Sequence, residues 1–259
     1  MKKATLPSQE FLLIDAGNTR LKWATAGKKW PGRVVGDIAT REASAAWIKA
    51  LARKYPEHRV VLACVVPKLV PIFEQAFGER LVVVKAELPE LSGHADFPFN
   101  YPKPSEIGAD RLAAAVAVQA WGQYPAIIVA CGTATAFTVL DEKGRLCGGA
   151  IAPGLQTQLA ALLGATAQLP DTFLKPPRSA LGKSTQDAIR AGVMLNFQGG
   201  AKEIIRQLGA ALGGKRRPHV ILTGGNAGAL AKNLDAPFTL RPLLIFEGLL
   251  IIGFRVFTQ

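Results

Sequence analysis

The chain has 259 residues, 49% hydrophobic and 19% charged, with 26 glycines and 17 prolines spread along it; this excludes disordered, collagen-like and low-complexity classes and suits one large domain or two small ones. Basic residues outnumber acidic ones 31 to 19, for a net charge of +12; spread along the chain, the excess fits an anionic ligand and would also fit weak attraction to nucleic acid. Cys64, Cys131 and Cys147 form no Cys-x-x-Cys pair, which excludes a zinc knuckle or disulfide scaffold and suits a reducing cytoplasm.

The first ten residues lack the apolar core of a signal peptide. Phe11 to Ile14 reads as a strand entering the turn Asp15-Ala16-Gly17-Asn18-Thr19, and the alternation from Arg20 to Thr25 as a second strand returning beside it. A helix is expected over Ala43–Arg53, a buried strand over Val60–Val66, a short helix over Val70–Phe77 and a strand over Leu81–Val84. Leu88 to Glu106 reads as a structured loop and Ile107 to Trp121 as a helix. The pattern then repeats. Ala126–Ala130 runs into the turn Cys131-Gly132-Thr133-Ala134-Thr135, a strand follows over Phe137–Leu140, and Arg145–Ile151 returns. Helices are expected over Leu155–Leu163 and Ser184–Leu212, and the strand Val220–Thr223 meets Gly224-Gly225-Asn226. Ala227–Lys232 starts another helix, and Phe246–Phe257 closes the chain after Leu240–Leu244. Leu243 to Phe254 is apolar but holds Glu247 and falls short of the roughly 18 residues of a membrane span. The expectation is an α/β protein of two similar lobes with mixed sheets and a cleft between them, cut at residues 1–115 and 116–259.

Three strand ends carry the chemistry. Asp15 is placed to hold a hydrated magnesium ion, with Gly17, Asn18 and Thr19 cradling a terminal phosphate; an ordinary Asx turn is the competing reading. The turns at Gly132-Thr133 and Gly224-Gly225 strengthen the nucleotide reading. Asp110 lies in the first turn of a helix and can accept a hydroxyl proton during phosphoryl transfer, and Arg111 can grip a carboxylate with two parallel bonds. Gly182-Lys183-Ser184-Thr185 imitates a P-loop but has Pro177 where the first glycine belongs. No dinucleotide fingerprint follows the first strand. His58, His94 and His219 read as surface or packing residues, Trp23, Trp30, Trp47 and Trp121 as core or interface, and Lys215-Arg216-Arg217 as a solvated loop.

Five stretches in order, Leu13–Ala24, Gly108–Arg111, Gly132–Thr135, Gly148–Gly154 and Leu222–Gly225, resemble the type III pantothenate kinases. These belong to the actin, hexokinase and Hsp70 ATPase superfamily, with two ribonuclease H-like lobes. The resemblance implies ATP-dependent phosphorylation of pantothenate, the first step of coenzyme A synthesis, by a cytoplasmic homodimer. It implies Asp110 as catalytic base, Arg111 on the pantothenate carboxylate, and Tyr101 and Gly108 in the pocket, with Thr185 brought in at the dimer interface. Asp15, Gly17, Asn18, Thr19, Lys22, Gly132, Thr133, Gly224 and Gly225 are assigned to ATP and its phosphates, and Asp15 to magnesium. Cys131 stands where relatives carry an aspartate that helps bind potassium or ammonium, so the implied monovalent cation loses a hard ligand here. Lys22 is the candidate replacement charge. Another small-molecule kinase of the superfamily, or a regulatory accessory protein without catalysis, is the alternative.

Overall fold

The computed structural model describes residues 9–27, 30–88, 99–214 and 216–257. His94, Lys215, the first eight residues and most of the expected loop from Leu88 lie outside them. The chain forms two compact units, one of residues 1–123, 144–146 and 243–259, the other of 124–143 and 147–242. They interleave in sequence, in place of a single cut after residue 115. The helix expected to end at Trp121 stays whole within the first unit, and the closing helix returns to it.

The first unit holds a sheet ordered β3-β2-β1-β4-β5, from β1 (Phe11–Ala16), β2 (Arg20–Ala26), β3 (Gly36–Ala39), β4 (Arg59–Cys64) and β5 (Leu81–Val83). β2 runs antiparallel to β1 and β3; β4 runs parallel to β1 and β5. β1 is buried at every position but Asp15, which is half-buried. The helices are α1 (Ala45–Lys54), capped by the Ser44 hydroxyl accepting from Trp47 N–H, α2 (Val70–Phe77), and α3 (Ala109–Ala120). β3 was not anticipated, because Gly-Asp-Ile-Ala at a sheet edge has no period-two signal.

The second unit repeats the design. Its sheet is ordered β10-β9-β6-β7-β8, from β6 (Ala126–Cys131), β7 (Ala134–Leu140), β8 (Leu146–Pro153), β9 (His219–Thr223) and β10 (Phe238–Leu240). β6 pairs antiparallel with β7 and parallel with β9, as β1 does with β2 and β4. Its helices are α4 (Leu155–Gly164), α5 (Thr185–Leu212) and α6 (Ala227–Ala231). The P-loop look-alike is the start of α5, where the Ser184 hydroxyl accepts from Asp187 N–H and Gly213, in the left-handed region, ends the helix.

The closing helix α7 (Leu244–Phe257) crosses α3 and packs on β1 and β4. Phe254 meets Phe11 edge-on, with ring centroids 5.0 Å apart. Trp23 and Trp47 pack edge to face in the first core, as the core reading expects, while Trp30 is exposed. No described helix is long and apolar enough to cross a membrane.

Candidate functional site

The turn after β1 is closed by Gly17 N–H donating to the Arg20 carbonyl at 3.0 Å. It is held from outside by residues that sequence patterns did not single out. The Thr40 hydroxyl donates to the Gly17 carbonyl at 2.7 Å, Thr40 N–H donates to the Thr19 carbonyl, and Val65 N–H donates to the Ala16 carbonyl. Thr40 lies more than twenty positions from the turn, so only the folded sheet brings it there. Asn18 and Thr19 are exposed at the tip, Gly17 half-buried.

Asp15 pairs with Lys22 directly across the antiparallel strands. Their side chains therefore share a face. Burial pushes the Asp15 carboxyl up from 3.8 to about 7; the charge of Asp110 adds to the rise and that of Lys22 opposes it. The structure thus brings Asp15, Lys22 and Asp110 into electrostatic contact within the first unit.

Asp110 is the second residue of α3, whose N-cap is Gly108. Its Oδ1 accepts from Arg111 N–H at 2.9 Å, and its other oxygen has no hydrogen-bond partner among the described residues. That fixes the carboxylate at the positive end of the helix with one oxygen open. Arg111 and Tyr101 are half-buried in the same unit. Thr185 opens α5 in the second unit and is exposed.

In the second unit Gly132 N–H donates to the Ala134 carbonyl at 3.0 Å, closing a turn one residue tighter than the first. The Thr133 carbonyl accepts from Gly154 N–H at 2.9 Å and from the Thr157 hydroxyl. Gly224 has φ of +89°, and a Cβ there would lie 2.6 Å from the Cys131 carbonyl oxygen, so a bare backbone is required on both counts. Asn226 N–H donates to that same carbonyl at 3.1 Å. The two glycine turns are therefore packed together, with Gly225 exposed beside them.

The repeated topology gives Cys131 a definite place. Gly17 and Gly132 are equivalent, so Asp15 corresponds to Ala130 and Cys131 to Ala16. Cys131 is fully buried in the core with Val129, Phe137 and Leu222, and burial pushes its thiol up to about 12. The core thus keeps the thiol protonated. Among the described residues no group of three or more His, Cys, Asp or Glu side chains could hold a metal.

Residues 11–207 match the family model described as type III pantothenate kinase. The type III pantothenate kinase of Methylacidiphilum infernorum is 34% identical over 243 residues, covering 94% of this chain and 88% of that protein. That of Moorella thermoacetica is 34% identical over 257 residues, covering 93% and 98%. Among solved structures, a conserved Baf family protein from Campylobacter jejuni superposes with a TM-score of 0.63 at 17% identity, covering 95% of this chain and 98% of its own. The activator of 2-hydroxyisocaproyl-CoA dehydratase from Clostridium difficile, with bound ADPNP, gives 0.53 at 13% identity, covering 95% and 94%. The structural likenesses bear on the fold, which is that of the actin-like ATPases and sugar kinases. The span of the family match and the identity to its members make this chain a member of the type III pantothenate kinase family.

Proposed function

We propose that the protein transfers the terminal phosphoryl group of ATP to the primary hydroxyl of pantothenate, opening coenzyme A synthesis in the cytoplasm. The observation that carries this reading is the Asp15–Asp110 pair, set within the matched span at a strand end and a helix start. Asp110 is the general base: its open oxygen takes the hydroxyl proton as the oxygen attacks phosphorus. Arg111 holds the pantothenate carboxylate through paired N–H donors, with Tyr101 and Gly108 shaping the pocket. Gly17, Asn18, Thr19, Gly132, Thr133, Gly224 and Gly225 present backbone amides and hydroxyls to the phosphates, and Lys22 adds positive charge beside them.

Two carboxylates fit a largely hydrated magnesium ion, which keeps most of its waters and takes one or two protein ligands. Asp15 would hold it, and the ion would offset the negative charge that Asp15 and Asp110 otherwise set against each other. A homodimer is part of the proposal, with Thr185 reaching the partner's substrate. Exposed Ile151, Phe173, Leu181 and Leu195, all in the second unit, support such a face.

A coupled assay with Mg-ATP tests the function. Pantothenate should be turned over and hexoses should not. Turnover of a hexose without pantothenate would assign the chain another substrate of the superfamily, and no turnover with either would favour an accessory role.

A further inference from the structure

We propose that a groove on the first unit, between α1 and α2, binds a small polyphosphate-bearing anion at a place separate from the Asp15–Asp110 pair. The groove has a volume of about 300 Å³, and Lys49, Arg53 and Arg80 line it alongside Ala52, Gln75 and Ala76. No carboxylate is among its lining residues. Lys49 and Arg53 stand four residues apart on one face of α1, where like charges repel. Neither has an ion-pair partner among the described residues; Glu57, Glu74 and Glu79 of the same stretch pair with neither. Arg53 in the last turn of α1 complements the helix dipole, but that accounts for one of the three charges.

Arg80 is built in. One terminal nitrogen donates to the Tyr55 carbonyl at 2.8 Å and to the His58 carbonyl at 3.1 Å, and the guanidinium lies 5.6 Å from the Phe77 ring centroid. Its remaining N–H groups have no acceptor among the described residues. A guanidinium fixed in this way has lost its rotamer freedom before any ligand arrives, which favours bidentate capture of a phosphate. Tyr55 and His58 precede β4, whereas Asp15 lies beside the end of that strand at Ala63 and Cys64. The six residues of β4 thus separate the two places by about 20 Å. A concavity of this size between helices suits a di- or triphosphate group more than an extended nucleic-acid backbone.

The test is hydrogen exchange on the full chain with inorganic tripolyphosphate and no magnesium, for wild type and Lys49→Gln/Arg53→Gln. Tripolyphosphate should slow exchange in residues 45–56 and 70–80 of the wild type. The double variant should weaken that protection at least about tenfold, the effect of losing charge-assisted bonds, while melting temperature and turnover without tripolyphosphate stay unchanged. If the double variant melts lower, Gln75→Glu, which sets a carboxylate on the wall, should weaken protection in the same way. No protection of either helix at millimolar tripolyphosphate, or protection equal in wild type and variants, overturns the proposal. So does a single-stranded oligonucleotide that protects the same segments at lower phosphate concentration, which would assign the face to nucleic acid.

Discussion

Asp15 is held where its charge is costly, and this has a signed consequence for stability. Its folded-state carboxyl titrates near 7 against 3.8 for the free group, so the folded protein binds this proton more tightly than the unfolded chain. Its favourable contribution is whole below pH about 4 and is lost as pH rises through about 7. Asp15→Asn should therefore stabilise the ligand-free protein at pH 8 by on the order of 2 kcal/mol, with the gain shrinking toward pH 4. Thermal melts across that range check it, and a gain independent of pH would remove the carboxyl from the explanation. For Asp110 the readout is chemistry. An amide keeps the shape and cannot take a proton, so Asp110→Asn should lower kcat by about 100- to 10,000-fold while both substrates still bind; retention of more than about a tenth of the wild-type rate would refute the base assignment. At the second turn, the residue equivalent to Asp15 is Ala130 and the Cys131 thiol is committed to the core, so neither side chain offers a hard oxygen. Rates in potassium, sodium and a bulky organic cation at constant ionic strength should agree within a few-fold. A tenfold rise with potassium alone would mean that other oxygens rebuild the cation site.

At the scale of elements, α3 and α7 cross so closely that a Cβ on Gly248 would overlap the Ala113 carbonyl and lie 3.1 Å from the Ala113 Cα. Neither is the movable end of a side chain, so Gly248→Ala must spread the helices. A loss of about 2 to 3 kcal/mol follows, measurable by urea denaturation, with little change in KM if the Asp110 end of α3 stays in place. The helices and central strands were legible because their patterns are local: Val70–Phe77 was read to the residue, and α5 to within one position. The strand–turn–strand units around Gly17 and Gly132 were legible because an apolar run meets a glycine turn in each. What depends on pairing was not. The face of Lys22 follows from its register with Asp15, and the grip of Thr40 on the first turn spans two strands. β10 at Phe238–Leu240 had no counterpart in the sequence reading, because an exposed three-residue edge strand has little pattern to read.

At the scale of the whole molecule, most of the large apolar side chains left in water among the described residues belong to the second unit. Ile151 is 67% exposed, Phe173 69%, Leu181 74% and Leu195 45%. Light scattering should report about twice the 27.5 kDa of one chain, and Leu195→Glu should give monomers whose KM for pantothenate rises more than that for ATP. A fully active wild-type monomer would remove Thr185 from the partner's site. The closing helix bears on how the chain is made. A Cβ on Gly253 would come within 3.0 Å of both Phe11 and Val61 side chains, and Phe254 covers Phe11, so the wall against β1 is synthesised only after the second unit is complete. The first sheet to leave the ribosome must then wait with Phe11 uncovered while some two hundred further residues emerge, at about 5 to 20 residues per second. For roughly ten to forty seconds the nascent chain exposes a surface that the finished protein hides, and a ribosome that stalls before α7 leaves that surface open to chaperones and to other nascent chains.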